Sequence, residues 1–297
     1  MNRGILYGIA TYALWGLFPL YWKLLQHVPA MEILSHRMTW SLAFVLLLLV
    51  VRRRWDWLKT AVHTPRTMLL FVASALLLSV NWFVYIWGVN AGFIVETSLG
   101  YFINPLMNVL LGVIFLGETL RRGQWVAIGL AAAGVIYLTV RYGELPWIAL
   151  TLATSFALYG LLRKTAPLGS LEGLSLETAL MFFPALGYLI YLELAGTAAF
   201  GHVDRQTTFL LGFAGVATAV PLLLFAAAAR RIKLATVGIL QYIAPTLQFL
   251  IGVLIYHEPF TADRLVGFSL IWLALLIYSG ENIWFSRRQP RLQAAGD

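Results

Sequence analysis

Ten apolar runs account for nearly the whole chain: Ile5–Leu25, Ala30–Val51, Thr67–Trp87, Val95–Leu116, Gln124–Val140, Trp147–Leu162, Leu174–Glu193, Thr208–Ala229, Leu234–Tyr256 and Leu265–Phe285. About 20 apolar residues, rising 1.5 Å each as a helix, cross the hydrocarbon core of a bilayer. The runs are continuous and lack the every-second-residue alternation of barrel strands, so each predicts a helix. The polar intervals are short, which makes sequential helices antiparallel neighbours and leaves no room for a soluble domain. The expected fold is an all-α polytopic membrane protein of ten transmembrane helices.

Two of the runs carry the same pattern. YFINPLMNVLLGVIFLGETL (101–120) and YIAPTLQFLIGVLIYHEPF (242–260) align without a gap when Pro105 is set on Pro245. That register places Gly112 on Gly252, Glu118 on Glu258 and Asn108 on Gln248. A weaker echo sets TYALWG (11–16) against SFALYG (155–160). Such self-similarity predicts an internal repeat, residues 1–143 and 144–297, with five helices each. An odd number of spans sends the second copy in from the opposite face, the inverted-repeat plan of many secondary transporters.

Charge supplies the orientation. Of the 21 basic residues, sixteen fall in the N-terminal segment, the even-numbered connections and the C-terminal segment; four (Lys23, Arg141, Arg205 and Arg264) fall in the others, and Arg37 lies inside a span. Excess Lys and Arg marks the cytoplasmic side, so both termini are expected there. The first run, with Tyr12, Trp15, Pro19 and Tyr21 and no small-residue cleavage site, reads as a retained helix and not a signal peptide. The net charge of +8 is accounted for by these basic loops, and no nucleic-acid partner is expected. The chain is 60% hydrophobic and 11% charged, with a mean hydropathy of +0.80, against about 25% charged in soluble domains. Its lack of cysteine removes disulfides, zinc–thiolate sites and thiol catalysis.

A five-plus-five plan with a Pro–x6–Gly–x5–Glu element closing the fourth helix of each half resembles the EamA repeat of the drug/metabolite transporter superfamily. The stretches LWGLFPLYWKLL (14–25), EILSHRMTWS (32–41), NWFVYIWGVNAG (81–92), ETSLGYFINPLMNVLLG (96–112) and LQYIAPTLQFLIGV (240–253) are similar to its RarD branch. The resemblance covers nearly the whole chain. It implies a ten-helix inner-membrane permease, an exporter of metabolites or drug-like solutes, with no cofactor.

The residues that carry chemistry at membrane depth are few. Arg37 lies roughly 10 Å inside the outer end of the second helix, at 1.5 Å per residue. Either it faces the solute pathway and attracts an anionic group, or it is locked in an ion pair with Glu32 or Glu96. Asn81, Trp82 and Tyr85 fall within one turn of the third helix and, with Trp15, form either a hydrogen-bonding aromatic cavity wall or interhelical packing. Tyr101, Asn104, Pro105 and Asn108 share one helical face, as do Gln241, Pro245 and Gln248. Amides cannot face lipid, so both faces must meet protein or water. Pro105 and Pro245 are candidate hinges or static bends. His36 and Glu177 are candidates for proton coupling. Glu118 and Glu258, at helix exits, are expected to bond free backbone N–H groups.

These features favour a secondary transporter working by alternating access, with proton coupling as an option. There is no Walker motif for ATP drive and no HExxH metal motif. The alternative from another class is a polytopic membrane enzyme acting on lipid-linked substrates. The expected partners are a small-molecule solute and the lipid bilayer, with the chain a monomer or homodimer.

Overall fold

The computed structural model describes residues 3–52, 64–229, 231–232 and 234–293. Every regular element among them is helical: α1 (Arg3–Gly16), α2 (Phe18–Lys23), α3 (Ala30–Arg52), α4 (Pro65–Asn90), α5 (Ile94–Leu116), α6 (Arg122–Tyr142), α7 (Trp147–Thr165), α8 (Ser170–Leu194), α9 (Arg205–Ala229), α10 (Leu234–Leu240), α11 (Ile243–Leu250) and α12 (Ala262–Gln293). A π-helical turn, Ile251–Ile255, continues α11. Five of the basic residues that set the expected orientation (Arg53, Arg54, Lys59, Arg230 and Lys233) lie outside the described residues.

Nine spans among the described residues are long and apolar enough to cross a membrane, one fewer than the apolar runs predict. The sixth run, Trp147–Leu162, is helical, as part of α7, but that helix carries Thr151, Thr154, Ser155, Arg163 and Lys164 and is not among the nine. It packs between α4 and α5, and burial among neighbours relieves a helix of the need to be apolar all round.

Two spans are discontinuous. The first breaks at Leu17, whose N–H is shared between the carbonyls of Ala13 (3.0 Å) and Leu14 (3.2 Å). Pro19, lacking an N–H, cannot bond the Trp15 carbonyl and so permits the break. The ninth breaks at Gln241–Tyr242, just before Pro245. Pro105, by contrast, sits inside an unbroken α5.

Small residues let the helices approach closely. A Cβ at Gly100 would lie 2.8 Å from the Ala149 carbonyl oxygen on α7, and one at Gly16 would lie 2.7 Å from Leu247 Cβ on α11. Gly252 sits against Ile94 and Val95, as close helix contact requires. Gly112 does not meet another helix: its neighbour is the Glu118 carboxylate.

The connections 24–29, 91–93, 143–146, 195–204 and 256–261 form one end of the bundle, called here the Glu258 end. Its contacts are buried: Glu258 accepts hydrogen bonds from the N–H groups of Ile94 and Val95 (2.7 Å each), and Glu32 from that of Ala199 (2.7 Å). At the opposite, Glu118 end, Glu118 pairs with Lys164 at 2.8 Å, their side chains 47% and 63% exposed. The two ends nonetheless share a backbone turn. Glu118 N–H donates to the Gly112 carbonyl (3.2 Å) and Glu258 N–H to that of Gly252 (3.0 Å). The preceding residues, Gly117 (φ 65°) and His257 (φ 52°), are both left-handed, a conformation glycine adopts freely and histidine holds only under strain.

Candidate central cavity

Between the two ends lies a cavity of about 190 Å³. The break after α1 turns Tyr12, Trp15 and Phe18 towards it; α3 supplies Arg37; α4 supplies Leu78, Asn81, Trp82 and Tyr85; α5 supplies Tyr101, Asn104 and Pro105. The second half of the chain contributes Phe156 and Tyr159 from α7, Thr218 and Leu222 from α9, and Gln241, Ala244, Pro245 and Gln248 around the break before α11.

Hydrogen bonds hold this wall in place. Asn81 spends both amide hydrogens on α7, donating to the Leu152 carbonyl (3.0 Å) and Ser155 Oγ (3.1 Å), while its Oδ1 accepts from the Tyr101 hydroxyl (3.4 Å). It therefore ties helices together and orients Tyr101 at the same time. Gln248 Nε2 donates to the Trp15 carbonyl (3.1 Å), the acceptor that Pro19 leaves free, and so fastens α11 to the break in the first span. Aromatic rings stack in edge-on pairs, Tyr12 on Trp15 and Tyr85 on Tyr101, each with centroids 5.5 Å apart.

Arg37 is 4% exposed. Its Nε donates to Thr218 Oγ1 (2.9 Å), and its guanidinium carbon lies 3.7 Å from the centre of the Trp82 ring. Neither Glu32 nor Glu96 forms an ion pair with it; Glu32 serves Ala199 N–H and stands 4.0 Å from His36.

Asn108 is not in the cavity wall; its Nδ2 donates to Asn104 Oδ1 (2.9 Å) one turn away and steadies it. His36 also lies outside the wall, stacked on Phe200 at 4.8 Å, with no hydrogen-bond partner for either ring nitrogen. Glu177 is buried behind the wall. It accepts from Ser74 Oγ (2.7 Å) and from the hydroxyl of Tyr159 (3.3 Å), with Arg163 Nη1 at 3.9 Å. Arg37 and Glu177 both stand at the eighth position of their helices, α3 and α8.

Sequence reasoning did not single out Tyr12, Phe18, Phe156, Tyr159 or Thr218. The echo of TYALWG in SFALYG contained the signal for three of them: it aligns Tyr12 with Phe156 and Trp15 with Tyr159, and all four line the cavity. Thr218, an isolated hydroxyl in an apolar helix, gives no such cue.

The model of the EamA-like transporter family matches residues 2–140. Protein RarD of Streptomyces exfoliatus is 49% identical, covering 99% of this chain and 94% of its own. The uncharacterized transporter YojE of Bacillus subtilis is 49% identical, covering 96% of each chain. A crystal structure at 19% identity superposes with a TM-score of 0.57 over 93% of this chain and 96% of its own, a likeness of fold alone.

Proposed function

This chain belongs to the RarD branch of the EamA superfamily of drug and metabolite transporters, and from that premise we propose that it is a secondary permease moving a small metabolite by alternating access through the central cavity. The observation that carries this reading is that both halves of the chain build the cavity jointly, 1–143 through Trp15, Arg37 and Asn81, and 144–297 through Tyr159, Thr218 and Gln248. A solute held between two halves is released to alternate sides when they rock against each other. The common register of the Pro105 and Pro245 stretches, with the matching turns at Gly117 and His257, supports treating the halves as repeats, inverted because the ten apolar runs divide five to each. The volume lies below the roughly 300–1,000 Å³ of pockets for drug-sized ligands, which favours a small metabolite.

The buried clamp at Glu258 and the half-exposed pair at Glu118 support a molecule closed at its Glu258 end. With the basic loops inside, that end is external, so the cavity is poised to exchange with the cytoplasm, as an exporter loading its solute requires. Coupling is assigned to Glu177, because the hydroxyl it binds belongs to Tyr159, a ring of the cavity wall. A change in the protonation of this carboxyl reaches the solute through one side chain. Export in the opposite sense to proton entry follows from placing the proton and the solute at the same wall. Pro245, beside the break in its span, serves as the hinge; Pro105, in a continuous helix, serves as a bend.

Reconstitution into liposomes tests the reading. Saturable counterflow of a preloaded solute is expected. Strictly conductive, non-saturating flux would sink the carrier, and chemical turnover without net flux would transfer the site to an enzyme acting on lipid-linked substrates.

A further inference from the structure

The cavity wall holds one full charge and nothing to balance it. Arg37 is the only ionic side chain lining it among the described residues, and no carboxylate stands within ion-pairing distance of the guanidinium. A buried, unpaired cation is costly, and at membrane depth doubly so. Part of that cost is met by the Trp82 face at 3.7 Å and by Thr218, but Nη1 is buried without any hydrogen-bond partner. The Tyr85 hydroxyl, in the same wall, is a second buried group with no partner. Every hydrogen of the Asn81 amide is already committed to α7. Among the fully buried side-chain atoms of the wall, the groups left waiting are thus a guanidinium N–H and a phenol O–H, both able to donate, with Gln248 Oε1 the one orphaned acceptor.

Resting on the transport reading above, we propose that the solute is a small organic monoanion with an aromatic or apolar body, its carboxylate seated on Arg37 and Tyr85. A planar carboxylate accepts two hydrogen bonds from such donors, and the charge-assisted bond to Arg37 neutralises the buried cation. The apolar body fills the cage of Trp15, Phe18, Trp82 and Phe156. A zwitterion fits less well: its ammonium group would meet no carboxylate in the wall, since Glu177 lies behind Tyr159 beside Arg163. Size agrees with a small metabolite, the cavity of about 190 Å³ lying below the roughly 300–1,000 Å³ of pockets for drug-sized ligands.

The test uses the full-length protein in detergent and in liposomes. Phenylacetate, its neutral isostere phenylacetamide, and phenylalanine are titrated against the tryptophan fluorescence, which reports Trp15 and Trp82 in the wall. Phenylacetate is expected to bind at least tenfold more tightly than either of the others, the usual worth of a hydrogen bond to a charged group. In Arg37→Gln that preference should vanish. Tyr85→Phe, which removes only the unpartnered hydroxyl and should fold normally, should weaken phenylacetate several-fold and phenylacetamide, whose neutral carbonyl is the poorer acceptor, by less. Counterflow of phenylmethanesulfonate, which stays ionised and does not leak as the free acid, gives the transport arm. Equal binding of acid and amide, tighter binding of phenylalanine, or no binding of any probe would overturn the proposal. Anion-selective binding without saturable counterflow would uphold the site chemistry and refute the transport reading instead.

Discussion

Glu258 is the most demanding single test of how the bundle is closed. The first two N–H groups of α5, those of Ile94 and Val95, have no acceptor within their own helix, and the residue preceding them, Phe93, makes no side-chain cap. Both are satisfied by one carboxylate from the other half of the chain, at 2.7 Å each. Ile94 is fully buried and Glu258 nearly so, so water cannot replace the lost acceptor. Glu258→Ala orphans two buried donors at about 1–3 kcal/mol apiece, for a total of about 2–6 kcal/mol. Loss of the charge at a helix N-terminus adds ~0.3–1 kcal/mol. Where these bonds exist only with the Glu258 end closed, the lower figure of about 2 kcal/mol shifts the conformational equilibrium roughly thirtyfold towards opening. The chain has no cysteine, so a single cysteine at Ala244 in the cavity wall can be labelled without background. In spheroplasts, an impermeant maleimide should react with this site much faster in the Glu258→Ala background than with Glu258 intact. Glu258→Gln, which keeps one acceptor oxygen, should fall between. Unchanged labelling in well-inserted Glu258→Ala protein, with unchanged thermal stability in detergent, would refute the clamp.

Three further outcomes follow from the same contacts. Glu177→Gln should abolish accumulation driven by a pH gradient while leaving solute counterflow saturable; a variant that still responds to the gradient would remove Glu177 from coupling. Gly100→Ala sets a methyl 2.8 Å from the backbone oxygen of Ala149, which cannot swing aside, and should lower stability by about 1–3 kcal/mol despite the better helix propensity of alanine; thermal unfolding checks this. Asp204, outside the membrane, caps α9 through the Thr207 N–H (2.7 Å), which with the Thr207 hydroxyl holds its carboxyl below the ordinary 3.8. Because that value is depressed by folding, the stabilisation is complete above the ordinary value and disappears as pH falls through the folded one. Asp204→Asn should therefore be less stable than the parent near neutrality and converge with it in acid; a difference that persists undiminished into acid would contradict this.

Nearly all of the α-helical architecture was legible from the sequence, because each membrane span is specified locally: its backbone, surrounded by lipid, must close its own hydrogen bonds, and only a helix does so. The amide faces around Pro105 and Pro245 were legible for a related reason, since polar side chains in such a run have nowhere to turn except inward. All but one of the pathway candidates named from sequence do line the cavity. Asn108 does not, because it lies one turn beyond Asn104, and periodicity fixes a face but not how far along that face a cavity extends. The breaks at Leu17 and Gln241 were not legible either. Pro19 and Pro245 permit them, but Pro105, with the same local chemistry, leaves its helix whole.

What only the tertiary structure decided is who meets whom across the chain. The sequence placed Arg37 at membrane depth and left it either paired or facing the pathway. Packing brought Trp82 and Thr218 to it and kept Glu32 and Glu96 away. The sequence assigned Glu258 to a helix end with free backbone N–H groups to bond, and the fold supplied those of Ile94 and Val95 from the other half of the chain. Helix formation and insertion are decided within the length of a single span, whereas the partner of a buried charge depends on how every span packs, which no local pattern records.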